Sequence, residues 1–340
     1  MINHIRHNKE EWIDKATQKY QHNSSLDTVI KGGAINRSME EVIQTEHLTK
    51  YYGKVRGIED FTLTVNKGEI FGFLGPNGSG KTTTIRLCLG LISKTSGDIT
   101  IFGLDSHKDS VQIRKRVGYV PGDFGLISNI KVKNYLNYLL SLSNCKSDDR
   151  MKELAARLDL DLNRKTHELS RGNRQKVGVI QAFMADQDLI ILDEPTTGLD
   201  PLMQQEFYKI LRKEKEKGKT MFMSSHILAE AEAVCDRVAI IREGRLKIVE
   251  EIASLQKKTG KVLDVEFRSP VDVEEFRLPG VSEIKVDNNR LLLTINENLD
   301  SVIKAVANHK ILNMNLKTYS LEELFLRYYK DTGRGEDNVR

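Results

Sequence analysis

The clearest chemistry in this chain lies in eight residues, GPNGSGKT at positions 75–82. They match G-x-x-x-x-G-K-[ST], a loop built to hold phosphate. Gly75, Pro76, Asn77, Gly78, Ser79 and Gly80 can fold back so that successive backbone N–H groups point inward at phosphate oxygens. A helix starting at the loop's end adds its positive N-terminus. Lys81 suits a β- or γ-phosphate, the Thr82 hydroxyl suits a Mg²⁺ ion held beside it, and Thr83 continues the same turn. At ordinary residue frequencies a chance match in a chain of this length is a roughly 2% event.

A second constellation closes the apolar run at residues 189–192, which ends in Asp193 and Glu194. Adjacent carboxylates at the end of a buried-type strand are costly unless they are used. Beside a phosphate loop, Asp193 suits a metal ion, and Glu194 suits a general base that orients water. Without that neighbour, a solvated strand end turning at Pro195 would explain them as well. His226 follows another apolar run, 220–223, in the sequence SSH. A lone histidine after a strand is more often structural than catalytic, so by itself it stays open.

These residues need a sheet to hold them. Short β-rich runs at 61–65, 70–74, 189–192, 220–223 and 238–241 alternate with helical stretches. Strands so apolar imply an α/β fold whose sheet is covered on both faces. From about 132 to 185 the spacing turns helical, with Tyr135, Leu136, Leu139 and Leu140, then Met151, Leu154, Ala155 and Leu158. That pattern predicts a helical subdomain inserted between strands. Beyond about residue 255, alternating runs at 262–267, 284–286, 291–295 and 311–316 flank helical stretches at 300–308 and 321–329, as a small α+β domain of split βαβ type would. The run RKEKEKGK, 212–219, reads as the solvated end of a helix. Residues 1–41 read as a polar extension, in which the stretch from Glu10 to Tyr20 could make a short helix with Trp12, Ile13 and Ala16 on one side. The expected division is therefore 1–41, 42–254, 255–331 and a tail, 332–340.

Composition narrows the class further. With 340 residues, 39% hydrophobic and 29% charged, the chain is globular and long enough for more than one domain. A net charge of +4 is too balanced for a nucleic-acid footprint. No run approaches 18 apolar residues, so no spanning helix is expected. The three cysteines, Cys88, Cys145 and Cys235, lack metal-ligand spacing and read as idle thiols in a reducing compartment.

In order along the chain, these pieces resemble the nucleotide-binding subunits of ABC transporters. LTKYYG around Tyr52, GPNGSGKT, LSRGN at 169–173, LIILDE at 189–194, GLD at 198–200 and His226 follow that family's sequence over roughly residues 42–255. The resemblance implies a P-loop ABC-type ATPase domain that binds ATP and Mg²⁺. Tyr52 would stack on adenine, and His226 would be the switch histidine at the γ-phosphate. Ser170 and Gly172 would meet the γ-phosphate bound by a second subunit, with Asp200 as an inter-subunit contact. Two ATP molecules would then lie between two such chains, as a homodimer or with a paralogous subunit, working with separate transmembrane permease subunits. The chain would sit in the cytoplasm, peripheral to the inner face of the cell membrane.

Two positions depart from the family pattern. Arg171 stands where the signature has its first glycine, with Asn173 for its glutamine. Gly122, in GYVPG, stands where a metal-contacting glutamine is usual, leaving Asp123 as the nearest substitute. Both departures resemble exporters of drugs, peptide antibiotics and lipids, as does SLEELFLRYY at 320–329. An importer subunit is the alternative reading. A non-transport ATPase acting on ribosomes or DNA is a remoter one, because there is a single phosphate loop and no heptad array. Glu194 and His226 together argue against a catalytically silent subunit.

Overall fold

The computed structural model describes residues 40–318 except 124, 144, 146 and 259, with the backbone alone at 256–258 and 318. The extension 1–39, the helix expected at 321–329 and the tail lie outside the described residues. The elements run β1 (Glu41–Tyr52), β2 (Val55–Asn66), β3 (Ile70–Leu74), α1 (Lys81–Cys88), β4 (Ser96–Ile101), β5 (Leu104–Asp105), α2 (Ser110–Arg114) and β6 (Val117–Val120). There follow α3 (Val132–Ser141), α4 (Asp149–Arg157), α5 (Arg171–Phe183), β7 (Leu189–Asp193), α6 (Pro201–Glu216), β8 (Thr220–Ser225), α7 (Leu228–Val234), β9 (Arg237–Arg242), β10 (Arg245–Glu251) and α8 (Ile252–Lys258). The chain continues through β11 (Lys261–Phe267), β12 (Val281–Asp287), β13 (Arg290–Ile295), α9 (Leu299–Ala307) and β14 (Ile311–Thr318).

A six-stranded sheet, order β10-β9-β3-β8-β7-β6, carries the phosphate loop. Its strands from β9 to β6 are parallel, with β10 added antiparallel at the edge. β3, β7 and β8 are buried along their whole length, so they read as continuous apolar runs. Along β7 the side chains alternate: Ile190 and Leu192 enter the core beneath the helices, Leu189 and Ile191 the core on the other face. That second core is closed by an antiparallel sheet, order β2-β1-β4-β5. The run 61–65 belongs there, in β2, rather than to the central sheet. Its burial alternates along the strand, as fits a sheet with one covered face. Phe61 of β2 meets Phe73 of β3 edge-on at 5.6 Å, joining the two sheets, and Phe71 stacks on Phe222 of the neighbouring β8 at 5.9 Å within the central sheet.

The stretch between β6 and β7 is helical, as its spacing implies. α3 buries Val132, Tyr135, Leu136 and Leu140, and α4 buries Met151, Leu154 and Ala155. Both join α5 in one core with the sheet. The run 212–219 departs from the sequence reading. Although it closes α6 and exposes Lys213 and Lys217, Glu214 is fully buried, ion-paired to Arg150 of α4 and, at 2.7 and 3.1 Å, to Lys217 and Lys219. Burial pushes the Glu214 carboxyl up, but these three cations outweigh it and hold it below its ordinary value. Alternating charge here builds a buried cluster tying α4 to α6, because the helix end is covered by the inserted helices.

β11 to β14 make a separate antiparallel sheet, order β12-β13-β11-β14, over their own core of Leu263, Val265, Phe267, Leu293 and Val302. This is the strand order of a split βαβ fold, with the first crossover helix reduced to a 3₁₀ turn at Val273–Phe276. No helix among the described residues is long and apolar enough to cross a membrane.

Candidate nucleotide site

The phosphate loop joins β3 to α1. Gly75 has no room for a side chain: a Cβ there would lie 2.3 Å from the Ile241 carbonyl and 2.6 Å from Ser79 Oγ. Gly78 and Gly80 take φ of +79° and +111°, and Gly80 caps α1. Only glycine adopts such angles without strain, so the loop folds back upon itself. Lys81 Nζ then donates to the Gly75 and Pro76 carbonyls at 2.7 and 3.2 Å.

Two polar contacts draw the second constellation onto this loop, and a third, from Ser224, steadies it. Thr82 Oγ1 donates to Asp193 Oδ2 at 2.9 Å, and Ser224 Oγ donates to Asp193 Oδ1 at 2.6 Å. Lys81 Nζ lies 3.1 Å from Glu194 Oε1, an ion-pair distance without hydrogen-bond alignment. Glu194 sits at φ +51°, an uncommon angle for a non-glycine residue. Its N–H is held by Ser224 Oγ at 3.1 Å, and the resulting turn aims the carboxylate back into the cleft. There Glu194 Oε2 meets His226 Nδ1 at 2.5 Å. One carboxylate thus bridges the loop lysine and the histidine.

The cleft these residues line has a volume of about 660 Å³, enough for a nucleotide. Its wall includes Tyr52, Asn77, Gly78, Gly80, Lys81, Thr82, Thr83, Asp193, Glu194 and His226. Tyr52 lies at the rim beside Gly57 and Thr83, with Lys50 Nζ 5.1 Å from its ring centre. Gly122 and Asp123 also line the cleft. A Cβ at Gly122 would fall 3.4 Å from Asp193 Oδ2, so position 122 does border the metal-side carboxylate.

Ser170, Gly172 and Asp200 lie outside the lining. Ser170 Oγ caps α5 by accepting from Asn173 N at 3.3 Å, and Asp200 caps α6 by accepting from Met203 N at 3.0 Å. Sequence reasoning passed over several neighbours: Ser224, Arg56, Arg86, Tyr119 and Thr197. Burial, with the Asp193 charge, pushes the Tyr119 phenol up to about 12. Ser224 was signalled only by a hydroxyl ending an apolar strand. Arg86, Tyr119 and Thr197 carry no pattern and reach the cleft through the fold.

Comparison with known proteins identifies the family. The family model described as ABC transporter matches residues 58–197. The bacitracin transport ATP-binding protein BcrA of Bacillus licheniformis is 37% identical over 235 residues, which cover 67% of this chain and 76% of that one. The chain belongs to the ABC transporter ATP-binding family. The Nod factor export ATP-binding protein I of Cupriavidus pinatubonensis is 36% identical over 221 residues, covering 63% of this chain and 67% of that one. A solved ATP-binding subunit of an ABC transporter superposes with a TM-score of 0.60 at 29% identity, over 64% of this chain and 92% of the other. This ABC cassette is an ATPase that binds adenine nucleotide, and cassettes of its kind work as dimers with membrane subunits.

Proposed function

We propose that this ABC subunit hydrolyses ATP with Glu194 as general base and His226 as its orienting partner, in order to drive export through separate permease chains. The single observation behind the catalytic assignment is the Glu194 carboxylate spanning Lys81 and His226 at 3.1 and 2.5 Å. Incoming γ-phosphate would compete for Lys81, freeing Oε1 of Glu194 to accept a proton from water, while His226 fixes Oε2. Thr82 and Asp193 offer two hard oxygen donors 2.9 Å apart, which fits Mg²⁺, an ion commonly bound by one or two protein groups with phosphates and water. When bound, Mg²⁺ would neutralise phosphate charge, and Ser224 would hold the Asp193 carboxylate in place. Tyr52 would carry the adenine, and Gly75, Pro76, Asn77, Gly78, Ser79, Gly80 and Thr83 would cradle the phosphates.

Ser170, Gly172 and Asp200 fit a role facing a second chain's nucleotide, since all three lie outside their own cleft's lining. A homodimer holding two ATP molecules is the arrangement we favour. A second cavity, about 510 Å³ and lined by Leu89, Leu91, Val111, Leu139, Leu142 and Met184, supports docking of a membrane subunit. Leu91, Val111 and Leu142 are 53%, 62% and 69% exposed there, and grouped apolar exposure of this kind marks partner surfaces. The export reading draws on the relatives named for bacitracin transport and Nod factor export. On that reading the chain would work in the cytoplasm, on the inner face of the membrane. We assign 42–254 to the ATPase domain and 255–331 to an accessory domain. Glu194→Gln should retain ATP binding yet lose turnover about 100-fold or more, as removal of a general base does; near wild-type phosphate release would remove Glu194 from that role.

A further inference from the structure

A buried carboxylate ties the segments that carry Glu194 and His226 together from outside the cleft. Glu230 stands in the first turn of α7, is 5% exposed, and takes no part in the cleft lining. Its Oε1 accepts from Thr196 Oγ1 and its Oε2 from Ser225 Oγ, each at 2.5 Å. Thr196 and Pro195 are the central residues of the turn that leaves Glu194, closed by Thr197 N donating to the Glu194 carbonyl at 3.2 Å. Ser225 directly precedes His226, and its Oγ also accepts from Ile227 N at 2.9 Å, spanning the histidine. The same turn is gripped from α5, where buried Gln175 donates Nε2 to the Pro195 carbonyl at 2.9 Å. Among the described residues no lysine, arginine or histidine pairs with Glu230. A buried carboxylate with hydroxyl partners alone costs stability that an apolar side chain would not. Both of its oxygens are nevertheless committed, one to each segment.

We propose that Glu230 is a positioning residue for ATP hydrolysis: by holding Thr196 and Ser225 on one carboxylate, it sets the contact between Glu194 and His226. This rests on the assignment of Glu194 as general base. The Glu194–His226 contact of 2.5 Å joins the ends of two strands, β7 and β8, so its length follows from how those ends are held relative to each other. Ser224 links them at the Glu194 N–H, and Glu230 links them again beyond it, at the turn and at the residue before the histidine. Without the carboxylate, two buried hydroxyls lose their acceptor and the turn is free to shift against the histidine. The contribution therefore belongs to turnover rather than to nucleotide affinity, because the loop 75–82 makes no contact with Glu230.

Steady-state phosphate release and fluorescent-ATP titration on the full chain test the proposal. Glu230→Ala should lower turnover about 10- to 100-fold, the range that a misplacement near 1 Å produces, and change ATP affinity less than about twofold. Glu230→Gln keeps the length and one acceptor oxygen, and its amide can donate to the second hydroxyl, so turnover should return to within about threefold of wild type. Glu230→Met fills the same space without those hydrogen bonds and should behave as the alanine variant does. In a His226→Ala background the contact is already gone, so adding Glu230→Ala should lower turnover by less than about a further twofold. Should Glu230→Ala not fold, Thr196→Val removes one of the two hydrogen bonds at nearly constant shape and should itself slow turnover about tenfold. Wild-type turnover in Glu230→Ala or in Thr196→Val overturns the proposal. So does rescue by Glu230→Met, a loss of ATP affinity as large as the loss of turnover, or a full multiplicative loss in the His226→Ala background. Near wild-type turnover in Glu194→Gln would instead remove the general-base assignment beneath it.

Discussion

Replacing Gly172 with alanine should show how tightly the signature turn is fitted to its own chain. A Cβ on Gly172 would lie 2.5 Å from the Gly198 carbonyl oxygen, and ordinary contact begins near 3.4 Å, so the two turns must part by about 0.9 Å. The obstacle is backbone on both sides, with no side chain able to swing away. Overpacking of that kind costs about 1–3 kcal/mol. For a domain of this size that lowers the melting temperature by a few degrees, up to about 10 °C. The displacement also reaches the turn that begins at Glu194, and a misplacement near 1 Å can reduce turnover about 100-fold. Differential scanning fluorimetry and steady-state phosphate release measure the two effects. Gly198→Ala is the internal contrast. Its Cβ has room beside Arg171, so its cost is the backbone strain of φ +83°, about 1–2 kcal/mol. A Gly172→Ala protein with wild-type melting temperature and turnover would refute the fitted-turn reasoning.

Ser224→Ala removes a 2.6 Å hydrogen bond to Asp193 and one anchor of the Glu194 N–H, so half-saturating Mg²⁺ should rise about 10- to 100-fold; an unchanged Mg²⁺ titration would count against Asp193 as a metal-side group. His226→Ala frees one oxygen of Glu194 and should cut turnover with little change in ATP affinity, which a kcat-against-KM comparison reads directly. In the small domain, the hydrogen bonds from Arg290 hold the Asp264 carboxyl below its ordinary 3.8. Because the folded value is depressed, this stabilisation is present above the unfolded value and disappears as pH falls through the folded one. The melting-temperature gap between wild type and Asp264→Asn should thus be open at pH 7 and close below about pH 4; a gap independent of pH would exclude the carboxylate as its source.

Much of the candidate site is legible in the sequence. A phosphate loop is a local device: glycines at 75, 78 and 80 set backbone angles, and Lys81 and Thr82 stand at fixed distance from them along one turn. The apolar runs that became β3, β7 and β8 announce themselves because strands buried on both faces admit almost no polar residue. β1, β4, β5, β6 and β10 were not picked out: β4, β5 and β6 are short, β10 is a half-covered edge strand, and β1, though long, is interrupted by register shifts that break its alternation.

What residue order alone determined is the set of chemical groups and their succession: phosphate loop, signature, carboxylate pair, histidine. Tertiary structure decided which of them meet. Asp193 is 111 residues from Thr82 and 31 from Ser224, yet hydrogen-bonds both, because β3, β7 and β8 are neighbours in a sheet whose order differs from chain order. The same folding buried Glu214 in a stretch that reads as solvated, and laid the Arg171 stem beside Gly198. Spacing along a chain specifies contacts only within a turn or two; beyond that, the sheet order chooses the partners.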